Sequence, residues 1–400
     1  MASIAAPVQV ARTESTASEW SSTRLWPLYA VLVSSTCIVV GLLWDISWHS
    51  TVGRDTFWTL PHLLEQFGAI LAGFSCGWLV LSTTFRGSPE DRAQSVRFWG
   101  FLGPLGAWVT IWGTFVMITS APFDNWWHNA YGLDVQIVSP PHMVLALGMV
   151  AIQIGALLFA LGGQNRAVAM REMRVLGWTY TAAAGVLITM IATLISEYAS
   201  RPNEMHSPIF YKVAGGALTV TLVAIARAGR LRFPATKAAA VYMAIVLVMM
   251  WVLQLVPAVP KLAPIYTAVT HMVPPTFPLL LVFPAIAVDV LVTRNGGRHD
   301  WLASVALGVA FVLVMVAVQW YFADFLLSPA ARNYVFAGGQ WPYMVRPGPF
   351  QHRFWNLARD AAGHPSFPLF LRGLGVAAAF AVVSARIGLW VGNGMTRVMR

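Results

Sequence analysis

Charge is what this sequence has least of: only 10% of its 400 residues are Asp, Glu, Lys or Arg, against about a quarter in soluble domains. A large soluble helical protein could not cover its surface on so little, and that class is excluded. Cysteine is nearly absent. Cys37 and Cys76 both sit inside apolar runs, which excludes a disulfide framework and a thiolate metal cluster. There is no phosphate-cradling glycine loop, no nucleophile elbow, and no pair of histidines at the centres of apolar runs that would ligate haem. Clustered basic residues are missing too. The net charge is +10, but the basic residues fall singly or in small groups between apolar runs, which argues against nucleic acid as a partner.

What the chain has instead is apolar length. Hydrophobic residues make up 57% of it and the mean hydropathy is +0.64. Runs of roughly 20 apolar residues suffice to cross a bilayer. Such runs fall at about 26–44, 62–81, 99–120, 142–162, 176–196, 209–226, 238–257, 275–292, 301–323 and 368–390. The expected fold is an all-α polytopic transmembrane helical bundle of about ten helices. Six prolines from Pro257 to Pro278 interrupt the chain ahead of the eighth. The first run ends in Trp44-Asp45 with no small-residue cleavage site and is expected to be a retained helix. Most of the 26 basic residues fall on the side of the even-numbered connections, among them Arg86, Arg166, Arg227 and Arg294. The positive-inside rule makes that side cytoplasmic, in an inner membrane, with both termini inside. The expected organisation is a tail (1–25), a metal-site region (26–165), further spans (166–323), a long outer loop (324–367) and a last span with its tail (368–400).

Histidine has the reverse distribution: His49, His62, His128, His142, His206, His271, His352 and His364 map to the outer side and only His299 to the inner. Four of them belong to an internal repeat. Residues 45–68 read DISWHSTVGRDTFWTLPHLLEQFG, and residues 124–148 read DNWWHNAYGLDVQIVSPPHMVLALG. Asp45, Trp48, His49, Gly53 and Asp55 pair with Asp124, Trp127, His128, Gly132 and Asp134; after one inserted residue, Pro61-His62 pairs with Pro141-His142 and Gly68 with Gly148. A helix–loop–helix unit is duplicated.

Asp45 and His49 are four apart, so they share one helix face if the helix continues past residue 44. His62 opens the next helix, where a turn folds it back. One carboxylate and two imidazoles then form a three-ligand set with open positions, suited to copper, iron or zinc. Asp124, His128 and His142 repeat it. The alternative for both triads is a hydrogen-bond network that only stabilises loops. Around them, Glu65 is placed to orient His62 or to act between helices. Arg54 and Asp55 are expected to pair with each other, whereas Asp134 follows Leu133 and has no such partner beside it. Trp44, Trp48, Trp58, Trp126 and Trp127 form an interfacial aromatic belt.

Asp45, His49 and His62, with Trp48 before the first histidine and Arg54-Asp55-Thr56 between, resemble a signature of the membrane-bound copper monooxygenases, the particulate methane and ammonia monooxygenase family. The signature belongs to the polypeptide of that complex that holds a metal site within the membrane. Asp124, His128 and His142 are similar to that family's second site in spacing, with Asp124 in the place of an asparagine. The resemblance covers about residues 26–165. It implies copper, oxygen activation, hydroxylation of a small apolar or reduced substrate, and a multisubunit, often trimeric, complex. A transporter or metal-handling protein and a non-catalytic assembly subunit are the other two readings. Elsewhere, Glu197, Asn203, Glu204 and His206 form an irregular polar group, and Asp289 is either a helix-end pairing residue or part of a proton path. His352 and His364 are expected to be surface or packing residues.

Overall fold

The computed structural model of the chain describes residues 22–53, 58–132, 139–196, 205–261, 269–339, 361–364 and 366–400. They build an all-helical bundle. Helix α1 (Ser22–Thr51) and α2 (Leu60–Arg86) form an antiparallel pair, followed by the short α3 (Pro89–Ala93) and a hairpin of β1 (Val96–Phe98) and β2 (Phe101–Gly103). Helix α4 (Leu105–Tyr131) and α5 (Pro140–Arg166) form a second pair. Then come α6 (Met170–Leu194), α7 (Pro208–Ala228), α8 (Pro234–Leu253), α9 (Val282–Asn295), α10 (Asp300–Leu327) and α11 (Phe367–Met395). Among the described residues, nine of these helices are long and apolar enough to cross a membrane. The most enclosed is α6, while α11 presents most of its apolar length outward, as a lipid-facing helix does.

The duplication seen in the sequence is also a duplication of packing. Gly68 on α2 meets Ser34 and Ile38 of α1; Gly148 on α5 meets Gly113 and Met117 of α4, the positions 79 residues on. A Cβ added to Gly148 would lie 2.6 Å from the Met117 amide nitrogen, so the backbones approach too closely for any side chain. Both first helices end alike. Gly53 has φ 96° and Gly132 φ 84°, conformations that suit glycine.

Two stretches differ from the sequence reading. The helix expected from residue 99 starts at Leu105, because Val96–Gly103 forms the hairpin. Its turn is Trp99-Gly100, both with positive φ, as tight two-residue hairpin turns demand. The helix expected over 275–292 begins only at Val282. Pro274, Pro275 and Pro278 deny the preceding stretch its amide donors, and it stays extended. Three of its amides donate to side chains of other helices: Val273 to Thr51 Oγ1 (2.7 Å), Leu279 to Tyr242 Oη (2.9 Å) and Leu280 to Gln319 Oε1 (3.1 Å). Non-helical backbone at membrane depth is tolerated only with such protein partners.

Asp289 in α9 is a pairing residue. Its carboxylate accepts from the amides of Ala235 (3.2 Å) and Thr236 (2.8 Å) and from the Thr236 hydroxyl (2.7 Å). It caps α8 from a neighbouring helix, where the local N-cap, Phe233 at φ 56°, offers no side-chain acceptor. The short α9 is thereby fixed to the start of α8. At the same end, Asn165 at the close of α5 donates to the carbonyls of Met395 and Val398 (3.0 and 2.8 Å). The start of α1 and the close of α11 therefore share one end of the bundle, and the α1–α2 and α4–α5 turns share the other.

Candidate metal centres

Both triads assemble because α1 and α4 run further than apolar length alone requires. Helix α1 continues to Thr51 and α4 to Tyr131, so Asp45 with His49, and Asp124 with His128, each stand one turn apart on one helix face. The second histidines arrive from the opening turns of α2 and α5. There Pro61 and Pro141 occupy early positions where a missing amide donor is harmless, and His62 and His142 follow directly.

In the first triad, Asp45 Oδ1 lies 3.4 Å from His49 Nε2 and 3.1 Å from His62 Nε2. In the second, Asp124 Oδ1 lies 3.4 Å from His128 Nε2 and 3.6 Å from His142 Nε2. Within each triad, one ligand atom from every residue falls within 4.8 Å of the others. Ligands bound to one ion at about 2.1 Å, with angles between right and tetrahedral, are about 3.0–3.4 Å apart. Both Asp–His edges of the first triad fall in that range, and one of the two in the second, at 3.6 Å, is slightly wide. Asp45 Oδ1 and Asp124 Oδ1 are both buried, and the partners seen for each among the described residues are the two imidazole nitrogens of its own triad. A carboxylate oxygen so placed is shared between two imidazoles, and a cation held by all three groups would satisfy it. His128 Nδ1 stands 3.2 Å from the Gly132 carbonyl oxygen, which favours the tautomer that leaves Nε2 free for a ligand.

The surroundings are built for low dielectric. Trp44 and Trp48 pack against the core beside the first triad. Thr59 and Ser139, the N-caps of α2 and α5, make no capping hydrogen bond, and their hydroxyls are buried without a partner among the described residues. Pro at the second helical position removes one of the two amides such a hydroxyl normally accepts from. The pairing of Thr59 with Ser139 continues the sequence repeat through a position that pattern reading passed over. Glu65 is buried in α2, one turn after His62. It lies within electrostatic range of Asp45 and His62, and its Oε1 has no hydrogen-bond partner among the described residues.

Arg54, Asp55 and Asp134 lie outside the described residues, as do Glu197, Asn203, Glu204 and His352. His206 is described and buried. Its Nε2 lies 3.1 Å from Oδ1 of Asp324, near the end of α10, and its ring meets Trp320 edge to face at 4.2 Å. Burial pulls this imidazole below the usual histidine range, against the opposing pull of Asp324. The signal that pointed to Asp45 and Asp124, an aspartate near the end of an apolar run, was present at Asp324 as well. His271 contacts the Thr270 hydroxyl at 3.0 Å, and His364 is exposed. The chain is a multi-pass helical membrane protein carrying two Asp-His-His groups that could each hold a metal ion. Compared with known protein families, curated proteins and solved structures, it matches none of them.

Proposed function

We propose that this chain is an integral-membrane metalloprotein holding one transition-metal ion at Asp45, His49 and His62 and a second at Asp124, His128 and His142. The observation that carries the reading is that one carboxylate oxygen and two imidazole nitrogens converge twice, at equivalent positions of a duplicated unit. The ion we favour is copper, on the resemblance of residues 26–165 to the membrane copper monooxygenases; iron and zinc suit the same ligands. Bound copper supplies the one-electron and oxygen chemistry that hydroxylating a small apolar or reduced substrate requires.

The protein's part is to hold and shelter the ion. Asp45 and Asp124 each bring one negative charge, the four imidazoles present Nε2, and three protein ligands leave coordination positions open. Trp44 and Trp48 limit water, and the surrounding lipid delivers an apolar substrate from the side. In this reading both termini face the cytoplasm of an inner membrane and both centres lie near the outer face. Further membrane subunits or a homo-oligomer such as a trimer complete the assembly.

Metal analysis of the purified protein tests the reading. Two equivalents of copper are expected, with one lost in Asp45→Ala and the other in Asp124→Ala. No transition metal above background in the wild type would refute it. Metal transport is the second reading, supported by the extended 271–281 stretch leading into α9, since broken spans are common in transporters. Metal accumulation inside proteoliposomes carrying the protein would favour transport, and binding without accumulation would favour the first reading.

A further inference from the structure

The two halves of the repeat differ at one buried charge. In the first, Glu65 follows His62 by three residues on the inner face of α2 and is 2% exposed. In the second, Leu145 takes the equivalent place, partly buried against the core. The opposing helix differs in step. A Cβ added to Gly41 would lie 2.6 Å from Glu65 Cγ and 3.2 Å from the Glu65 amide nitrogen. Gly41 thus clears the space through which the glutamate side chain passes. The residue 79 positions on, at the equivalent place in the repeat, is Ser120, which carries a Cβ where Gly41 has none.

Glu65 stands outside the Asp45–His49–His62 ligand set, yet it is within electrostatic range of Asp45 and His62, and its Oε1 has no hydrogen-bond partner among the described residues. A carboxylate buried at membrane depth is neutralised either by a proton or by a nearby cation. No lysine or arginine is seen to pair with it among the described residues, which leaves a proton, or a dication held by the triad in the proton's place.

Charge balance then separates the centres. With neutral imidazoles, Asp45 and Glu65 together neutralise a dication. Asp124 alone neutralises a monocation. Net charge left in a low-dielectric site is penalised steeply, so each centre favours the ion that brings it to zero. Resting on the metal-binding reading above, we propose that Glu65 is a specificity-determining counter-charge, making the 45/49/62 centre selective for a divalent transition ion and leaving the 124/128/142 centre for monovalent Cu(I).

The experiment uses the full chain in detergent, with each centre isolated by disabling the other: Asp124→Ala leaves the first and Asp45→Ala the second. Affinity is measured for Zn(II), a redox-inert dication, and for Cu(I) under anaerobic competition with a chelator. The first centre should prefer Zn(II) relative to the second. Glu65→Gln should weaken Zn(II) there by about 10–100-fold, the scale of losing an outer partner of a metal site, with little change for Cu(I). Gly41→Ala, which displaces the glutamate without altering its charge, should act in the same direction. In the second centre, the combined Ser120→Gly and Leu145→Glu variant should raise Zn(II) affinity selectively. Equal weakening of both ions by Glu65→Gln would overturn the inference, because a residue that only orients or packs does not discriminate by ion charge. Unchanged Zn(II) affinity in that variant would overturn it as well. Failure of the wild type to bind either ion would overturn the metal-binding reading itself, a result distinct from both.

Discussion

Replacing Asp45 by alanine separates a metal centre from a structural hydrogen-bond cluster, because the two make opposite demands on the same carboxylate. In the metal-free protein the side chain meets only His49 and His62 among the contacts described, at 3.4 and 3.1 Å. Those imidazoles are 39% and 23% exposed, so water can replace what the aspartate provided. Partly exposed pairs of this kind are worth about 0–1 kcal/mol each, and the metal-free variant should lose no more than about 1–2 kcal/mol. The bound form loses much more. Removing one of three protein ligands should exceed the roughly 10–100-fold loss seen for outer partners, and 100-fold is about 2.7 kcal/mol of binding free energy. Through linkage, an ion at 100 times its dissociation constant stabilises the fold by about 2.7 kcal/mol. Thermal unfolding in detergent, with and without chelator, reads both quantities. The wild type should be stabilised by metal, and Asp45→Ala should unfold near the chelated wild type with or without the ion. If the variant kept full metal stoichiometry, or lost several kcal/mol without metal, the triad would be a structural network and not a metal centre.

Graded chelation should strip the 124/128/142 centre before the 45/49/62 centre, since its Asp–His edges reach 3.6 Å and it lacks a counterpart of Glu65; loss in the reverse order would contradict this ranking. Gly148→Val should push α5 from Met117 of α4 and reduce metal at the second centre alone, at an overpacking cost of about 1–3 kcal/mol, read by unfolding and metal content. Asp289→Ala should destabilise by about 1–3 kcal/mol, because donors at the start of α8 lose their shared acceptor. Asp289→Asn, which keeps an acceptor oxygen, should recover part of that, and equal loss in both variants would refute the capping role. Topology reporters at the two termini should both be active on the cytoplasmic side, and opposite signals would mean that the stretch through 271–295 does not cross.

The helical membrane class, the placement of most spans and the duplicated triads are legible in the sequence for a simple reason. Bilayer thickness sets the length of an apolar run, and helical periodicity sets a four-residue step between Asp45 and His49, or Asp124 and His128. What depends on partners distant in the chain is not legible. The proline content of 257–278 showed that a helix was interrupted there, but that Thr51, Tyr242 and Gln319, from three other helices, receive the amides of the extended stretch was visible only in the fold. The hairpin at 96–103 lay hidden in an apolar stretch whose composition suits a helix equally well. Asp289 read as either a helix-end pairing residue or part of a proton path, until folding set it against the bare start of α8. The difference between the triads was the least visible of all. Glu65 and Leu145 could be compared by alignment of the repeat, but Gly41, the residue that lets Glu65 reach its place, lies before the repeated motif begins. Local sequence chose which side chains could bind; the approach of α1 to α2 decided which charges would be buried together, because burial is a property of the surfaces in contact and neither helix carries it alone.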